Sequence, residues 1–150
     1  MLCRGRGVGV SMSDETLLKL LRSRDLGVLA TLHPDGRPHV STISYAVDPA
    51  GSTIRVSLTD SRVKTRNLRG DPRAALHVSG EGAWSWVVAE GPVELSAVAT
   101  APDDDAVEEL IDLYRSIGGE HPDWDDYRRA MVDDQRLVMR LQIDRLYGQS

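Results

Sequence analysis

Apolar and polar residues alternate in short runs along most of this chain, the spacing of half-buried β-strands, and give way to a helical period in only a few segments. Thr53-Ile-Arg-Val-Ser-Leu58 sets Ile54, Val56 and Leu58 against Arg55 and Ser57. Leu26-Gly-Val-Leu-Ala-Thr-Leu32 is a nearly continuous apolar strand, and His33-Pro-Asp-Gly-Arg37 supplies hairpin turn chemistry before a second strand opens at Pro38. Asp48-Pro-Ala-Gly51 turns the chain into the strand at Thr53, and Asp71-Pro72 resets it to extended structure. Three further strands are expected at 74–79, 83–90 and 92–98, punctuated by Gly80-Glu-Gly82 and Gly91-Pro92. Leu137, Met139, Leu141 and Ile143 then alternate with Val138, Arg140, Gln142 and Asp144, which predicts one last strand over 136–147. Closely spaced strands with short turns predict an antiparallel meander closing toward a small barrel.

Four segments carry the helical period. Ser13 is placed to cap the first, with Asp14 and Glu15 in its opening turn and Leu17, Leu18 and Leu21 as its stripe. Ser61 is placed to cap a short basic helix directly after the Thr53 strand. Thr100 and Asp103 frame the start of a third, whose Val107, Leu110, Ile111, Tyr114 and Ile117 form a core-facing stripe before Gly118-Gly119 ends it. His121-Pro122 opens a fourth, where Trp124, Tyr127 and Met131 share a face that reads as packing.

The 150 residues, 41% hydrophobic and 27% charged, fit one domain over 13–150. Residues 1–12 read as a disordered leader: Gly5, Gly7 and Gly9 follow no strand, Val10 stands where a dinucleotide loop needs its third glycine, and Met12 is the more natural start. Cys3 is the single cysteine, so an intrachain disulfide framework is excluded. No run has the apolar length of a membrane span and the first residues lack a signal-peptide core, so the expected location is cytoplasmic.

Charge is unevenly placed. The chain carries a net −5, yet residues 62–73 hold Arg62, Lys64, Arg66, Arg69 and Arg73 against Asp71 alone, while residues 101–134 hold twelve acids against three arginines. One positive corner on an acidic chain is not a nucleic-acid surface, which needs broad positive charge. Arg62 and Lys64 in the first turn of a helix oppose its dipole, a placement that costs stability unless an anion shares the site. Arg66 and Arg69 read as a solvated face.

Nucleophile elbows, Walker loops, zinc-ligand cysteine pairs and His-x-x-x-His spacings are all missing, which excludes the common hydrolase and metal constellations. Asp103, Asp104, Asp105, Asp123, Asp125 and Asp126 stand at helix starts, where dipole complementation accounts for them without a metal. His33 is turn punctuation, and His77, on a strand, reads as a structural residue. His39-Val-Ser-Thr-Ile-Ser-Tyr45 is dense in small hydroxyls and suits either ligand approach or ordinary cross-strand pairing. Trp84-Ser-Trp86 puts two indoles on one expected strand face, fit for core packing, a planar ligand or a subunit interface.

Taken in order, Gly27-Val-Leu-Ala-Thr-Leu32, Asp35-Gly-Arg-Pro38, Arg62-Val-Lys-Thr-Arg-Asn-Leu68, Asp71-Pro-Arg-Ala74 and Trp84-Ser-Trp-Val-Val-Ala-Glu-Gly91 resemble the pyridoxamine 5′-phosphate oxidase-like split β-barrel proteins. More closely they resemble the actinobacterial flavin/deazaflavin oxidoreductases that use coenzyme F420, a likeness that Ala101-Pro-Asp-Asp-Asp105 and Gly119-Glu-His-Pro-Asp-Trp-Asp-Asp-Tyr127 share. The resemblance implies a mainly β fold, a split β-barrel of the FMN-binding type with peripheral helices. It also implies a homodimer whose two cofactor sites lie along the subunit interface. Arg62 and Lys64 would hold the cofactor phosphate, with Ser57, Val63, Thr65 and Asn67 beside them. His39, Val40, Ser41 and Thr42 would line the ring, Trp84 and Trp86 would close the pocket from the partner, and Arg145 and Tyr147 are further candidates. The implied activity is an F420H2-dependent reductase passing a hydride to a small organic substrate, with Arg66 and Arg69 receiving the oligoglutamate tail. An FMN-dependent relative and a non-catalytic F420 carrier are the alternatives. Such chemistry needs binding and orientation more than a protein nucleophile, so no catalytic residue is named.

Overall fold

A computed structural model describes residues 12–82 and 84–149. The elements run α1 (Met12–Arg22), β1 (Leu26–Leu32), β2 (Pro38–Ser44), β3 (Ala46–Val47), β4 (Thr53–Thr59), α2 (Val63–Gly70), β5 (Arg73–Ser79), β6 (Trp86–Leu95), α3 (Asp105–Gly118), α4 (Trp124–Asp133), β7 (Arg136–Gln142) and β8 (Arg145–Gln149). The leader expected before Ser13 lies outside the described residues, apart from Met12, which opens α1.

The strands form a curled antiparallel sheet, and its order corrects the simple meander. Neighbours run β2-β1-β5-β6-β7-β4-β3, with β8 alongside β6. The strand at Thr53 finds its partner far down the chain, Thr53 opposite Gln142 and Thr59 opposite Arg136.

Two strand boundaries also differ from expectation. Gly91-Pro92 does not divide the strands expected at 83–90 and 92–98: β6 is one strand of ten residues. Its first part pairs with β5 and β8, and Val93–Leu95 pairs with β7, so one strand serves both halves of the barrel. Glycine is required at the crossing, because a Cβ on Gly91 would stand 1.8 Å from the Gln142 carbonyl oxygen. The expected last strand is instead two. Ile143 N–H turns to the Ser52 carbonyl and Asp144 N–H to that of Glu90, so the chain changes partners between β7 and β8 while its apolar alternation continues.

The barrel is filled by the alternating faces foreseen from the sequence. Leu29, Leu76, Val78, Val87, Ile54, Val56, Leu58, Leu137, Met139 and Leu141 are buried together, capped by Leu17 and Leu21 of α1 and Leu68 of α2. β7 is covered on both faces, since Val138 joins Val107, Leu110, Ile111, Tyr127 and Met131 in a second cluster under α3 and α4. Ion pairs from Arg140 to Glu109 and from Arg55 to Asp112 fasten α3 to that side. Asp104 caps α3 by accepting from Val107 N–H at 2.9 Å. On the opposite side, no helix of the described residues covers the face of the β2-β1-β5 sheet carrying Leu26, Val28 and Val40, and Val40 is 61% exposed.

Candidate functional site

The β4-to-α2 corner brings two cations, Arg62 and Lys64, to the start of a helix. Ser61 does not cap the helix as expected. The N-cap is Arg62, in extended conformation (φ −74°, ψ 151°), with no side-chain cap bond and no acid in the first turn. The first α-helical bond runs from Arg66 N–H to the Arg62 carbonyl, so the N–H groups of Val63, Lys64 and Thr65 precede the intrahelical ladder. Among the described residues, neither the Arg62 nor the Lys64 side chain meets a carboxylate.

Both cations line a cavity of about 460 Å³, together with Thr42, Ser44, Ser57 and Arg136. Arg136 Nη1 donates to Ser57 Oγ at 3.4 Å, and its Nε is buried with no hydrogen-bond acceptor. Burial and the charges of Arg62 and Arg136 hold the Lys64 ammonium below its ordinary pKa. Three cations thus line one space, and among the described residues the one acid paired with any of them is Asp134, 3.9 Å from Arg136 Nε.

The open edge of β2 forms the neighbouring wall. His33 N–H bonds the Arg37 carbonyl and Tyr45 N–H bonds that of Asp25, which fixes the phase of the β1–β2 ladder. By antiparallel alternation, the backbone groups of Val40, Thr42 and Ser44 then point away from β1 toward the open edge. Pro38 shares that phase, where its missing N–H costs no ladder bond. A planar ligand lying along this edge would meet backbone donors and acceptors at close range.

The family follows from residues 13–150, which match the model described as pyridoxamine 5′-phosphate oxidase. The chain belongs to the pyridoxamine 5′-phosphate oxidase family. Within that family it is similar to an F420H(2)-dependent biliverdin reductase of Mycobacterium tuberculosis (strain CDC 1551 / Oshkosh), 29% identical over 137 residues that cover 91% of this chain and 88% of that protein. The crystal structure of conserved hypothetical protein Rv2991 from Mycobacterium tuberculosis superposes with a TM-score of 0.68 at 26% identity, covering 94% of this chain and 86% of that one. A structure described as F420 reductase superposes with a TM-score of 0.64 at 25% identity, covering 87% and 95%. The curled sheet with four peripheral helices is the split barrel of the pyridoxamine 5′-phosphate oxidase family.

Within this family fold the expected site residues do not all come together. Thr42, Ser57, Arg62 and Lys64 meet at the cavity, with Val63 at the first position of α2. Thr65 and Asn67 are buried and tie the chain together: Thr65 Oγ1 donates to the Thr59 carbonyl at 2.7 Å, and Asn67 Nδ2 to Thr31 Oγ1 at 3.1 Å. His39 and Ser41 alternate with Val40 and Thr42, and His39 Nδ1 and Ser41 Oγ are buried without partners. Trp84 and Trp86 do not share a strand face. Trp84 stands in the turn before β6, 79% exposed, while Trp86 opens β6, stacked on His77 and set edge-on to Tyr147. Arg145 pairs with Glu90 and lies over the Tyr147 ring.

Two residues change the sequence picture. Arg69 forms an ion pair with Asp60, so its charge is already answered within the chain. Arg136 joins the cavity, which sequence reading missed because the pairing that brings it there, opposite Thr59, spans most of the domain. The one local signal was a cation at the head of an alternating strand, where the pattern assigns a side chain to a face but names no neighbour.

Proposed function

We propose that this member of the family is an F420-dependent reductase acting as a homodimer, moving a hydride between the deazaflavin and a small organic acceptor. The three-cation cavity beside the open edge of β2 carries the reading, because it matches a phosphate joined to a flat polar ring. The buried, unpartnered Arg136 Nε fits that group as well, since a bound anion would supply its acceptor. The names of the relatives at 29% and 25% identity support F420 as the ring, and the first makes linear tetrapyrroles the acceptor class to try first.

When bound, the deazaflavin supplies the hydride chemistry. The chain binds and orients it: Arg62, Lys64 and the N–H groups at the start of α2 hold the phosphate, and the edge of β2 offers backbone groups to the ring. The uncovered sheet face with Leu26, Val28 and Val40 supports the dimer, and Trp84, exposed in one chain, suits a place against the other subunit's site.

The test is equilibrium binding of F420 and FMN to the purified protein, followed by oxidation of reduced F420 with biliverdin, quinones and enones. F420 binding tighter than FMN, with turnover of one acceptor class, is the expected result. Tight FMN binding with weak F420 binding would overturn the cofactor assignment, and tight F420 binding without any turnover would make the protein a carrier.

A further inference from the structure

Arg136 arrives at the cavity by a route of its own. It lies opposite Thr59, where the chain leaves β4 for α2, and lines the same cavity as Arg62 and Lys64. The residue before it, Gln135, has φ 53°, the one positive φ at a non-glycine position among the described residues. Its carbonyl accepts from Asp60 N–H at 3.0 Å, and its own N–H donates to the Val132 carbonyl at 3.1 Å. A left-handed glutamine costs conformational energy and persists where its surroundings hold it. Here the hydrogen bond to Asp60 ties the head of β7 to the loop that carries Arg62, which fixes the distance across the cavity.

The charges around it do not close. Asp60 is taken by Arg69, and among the described residues the acid paired with Arg136 is Asp134, 3.9 Å from Nε and outside hydrogen-bond reach. Its contact with Ser57 Oγ is long at 3.4 Å. Three cations with one distant acid leave about two charges to be answered by a ligand, more than a lone phosphodiester carries. A guanidinium is also the group that grips a planar or tetrahedral oxyanion with two parallel bonds.

We propose that Arg136 determines specificity by making the cavity a site for two adjacent negative charges. Either a terminal phosphomonoester dianion or a phosphodiester followed by a carboxylate meets that requirement. The second source rests on the F420 reading, and the first does not.

The test compares wild type, Arg136→Met and Arg136→Lys against five probes: F420, its phosphate-free deazaflavin core, FMN, riboflavin and inorganic pyrophosphate. Arg136→Met is expected to weaken F420, FMN and pyrophosphate about ten- to a hundredfold, the range for charged hydrogen bonds, and to leave the two phosphate-free rings within about twofold. Arg136→Lys should recover part of that loss, since it restores the charge without the planar fork. Thermal unfolding of all three proteins shows whether Met is tolerated, and Lys carries the comparison if it is not. Loss on FMN and pyrophosphate, with no F420 binding to wild type, upholds Arg136 with a monoester as the source and sinks the F420 reading alone. Equal loss on charged and uncharged rings, no loss on any probe, or no binding of any probe to wild type overturns the assignment.

Discussion

Lys64→Met should separate binding from stability, because in the empty protein Lys64 works against the fold. Its ammonium is partly buried and shares the cavity with Arg62 and Arg136, which holds its pKa below the ordinary value. Methionine keeps the unbranched stem and a similar helix propensity, so little is lost from α2 itself. Like-charge neighbours cost about 0.2–0.5 kcal/mol each, so relief of two such pairs should stabilise the empty protein by about 0.5–1 kcal/mol. For a domain of this size that is a rise in Tm of roughly 1–4 °C. Binding should move the other way: loss of one charged contact to the phosphate should weaken F420 and FMN by about 1.5–3 kcal/mol. The sign can be checked with pH. A lysine whose folded pKa lies below its unfolded one destabilises at neutral pH, and the penalty fades as pH rises through the folded value toward the unfolded one. The Tm advantage of Lys64→Met should therefore be largest near neutrality and shrink in the alkaline range. Thermal unfolding in phosphate-free buffer and titration calorimetry supply both measurements. A variant that melts well below wild type, or that binds both ligands as tightly, would refute the reasoning.

Gly91→Ala should lower stability by about 3 kcal/mol or more in urea unfolding, because the new methyl meets a backbone carbonyl that cannot yield without moving β7. Asp104→Ala should cost about 1–2 kcal/mol through loss of the α3 cap. Burial works to raise the Asp104 pKa, but N–H bonds from Thr100, Val107 and Ala101 outweigh it and hold the carboxyl below the ordinary value. Its contribution is therefore present above the unfolded pKa and lost on acidification, so the Tm gap between wild type and variant should close as pH falls below about 4. Val40→Glu puts a charge on the uncovered sheet face, where the monomer fold has room for it. Light scattering should show dissociation to monomers with weakened cofactor binding, and an unchanged dimer with full affinity would remove that face from the interface.

Much of this molecule is written in local periodicity. The alternation of Ile54, Val56 and Leu58 marks a strand with one buried face, and the stripe of Val107, Leu110 and Ile111 marks a helix with another. All six are buried where those periods place them, because side-chain direction in a strand or helix depends on the backbone alone. The Arg62 and Lys64 pair was legible for the same reason: charge at the start of a helix is a local electrostatic statement. Ser61 was misread as the cap because two polar residues adjoin the corner, and which of them ends in extended conformation is settled by how the chain leaves β4.

What the sequence could not determine concerns partners rather than elements. A strand pattern assigns faces and leaves neighbours open, so the order that sets β4 beside β7, and with it Arg136 in the cavity, exists only once the sheet has closed. Gly91-Pro92 looks like a break by composition. In the barrel it is the point where one continuous strand passes from β5 and β8 to β7, and glycine is there for the close approach of Gln142. Arg69 looked as free as Arg62 in the sequence, yet Asp60 reaches it and leaves the N-cap arginine unanswered. Charge count is a property of the chain, but which charges cancel is decided by distance, and distance comes only with the tertiary fold.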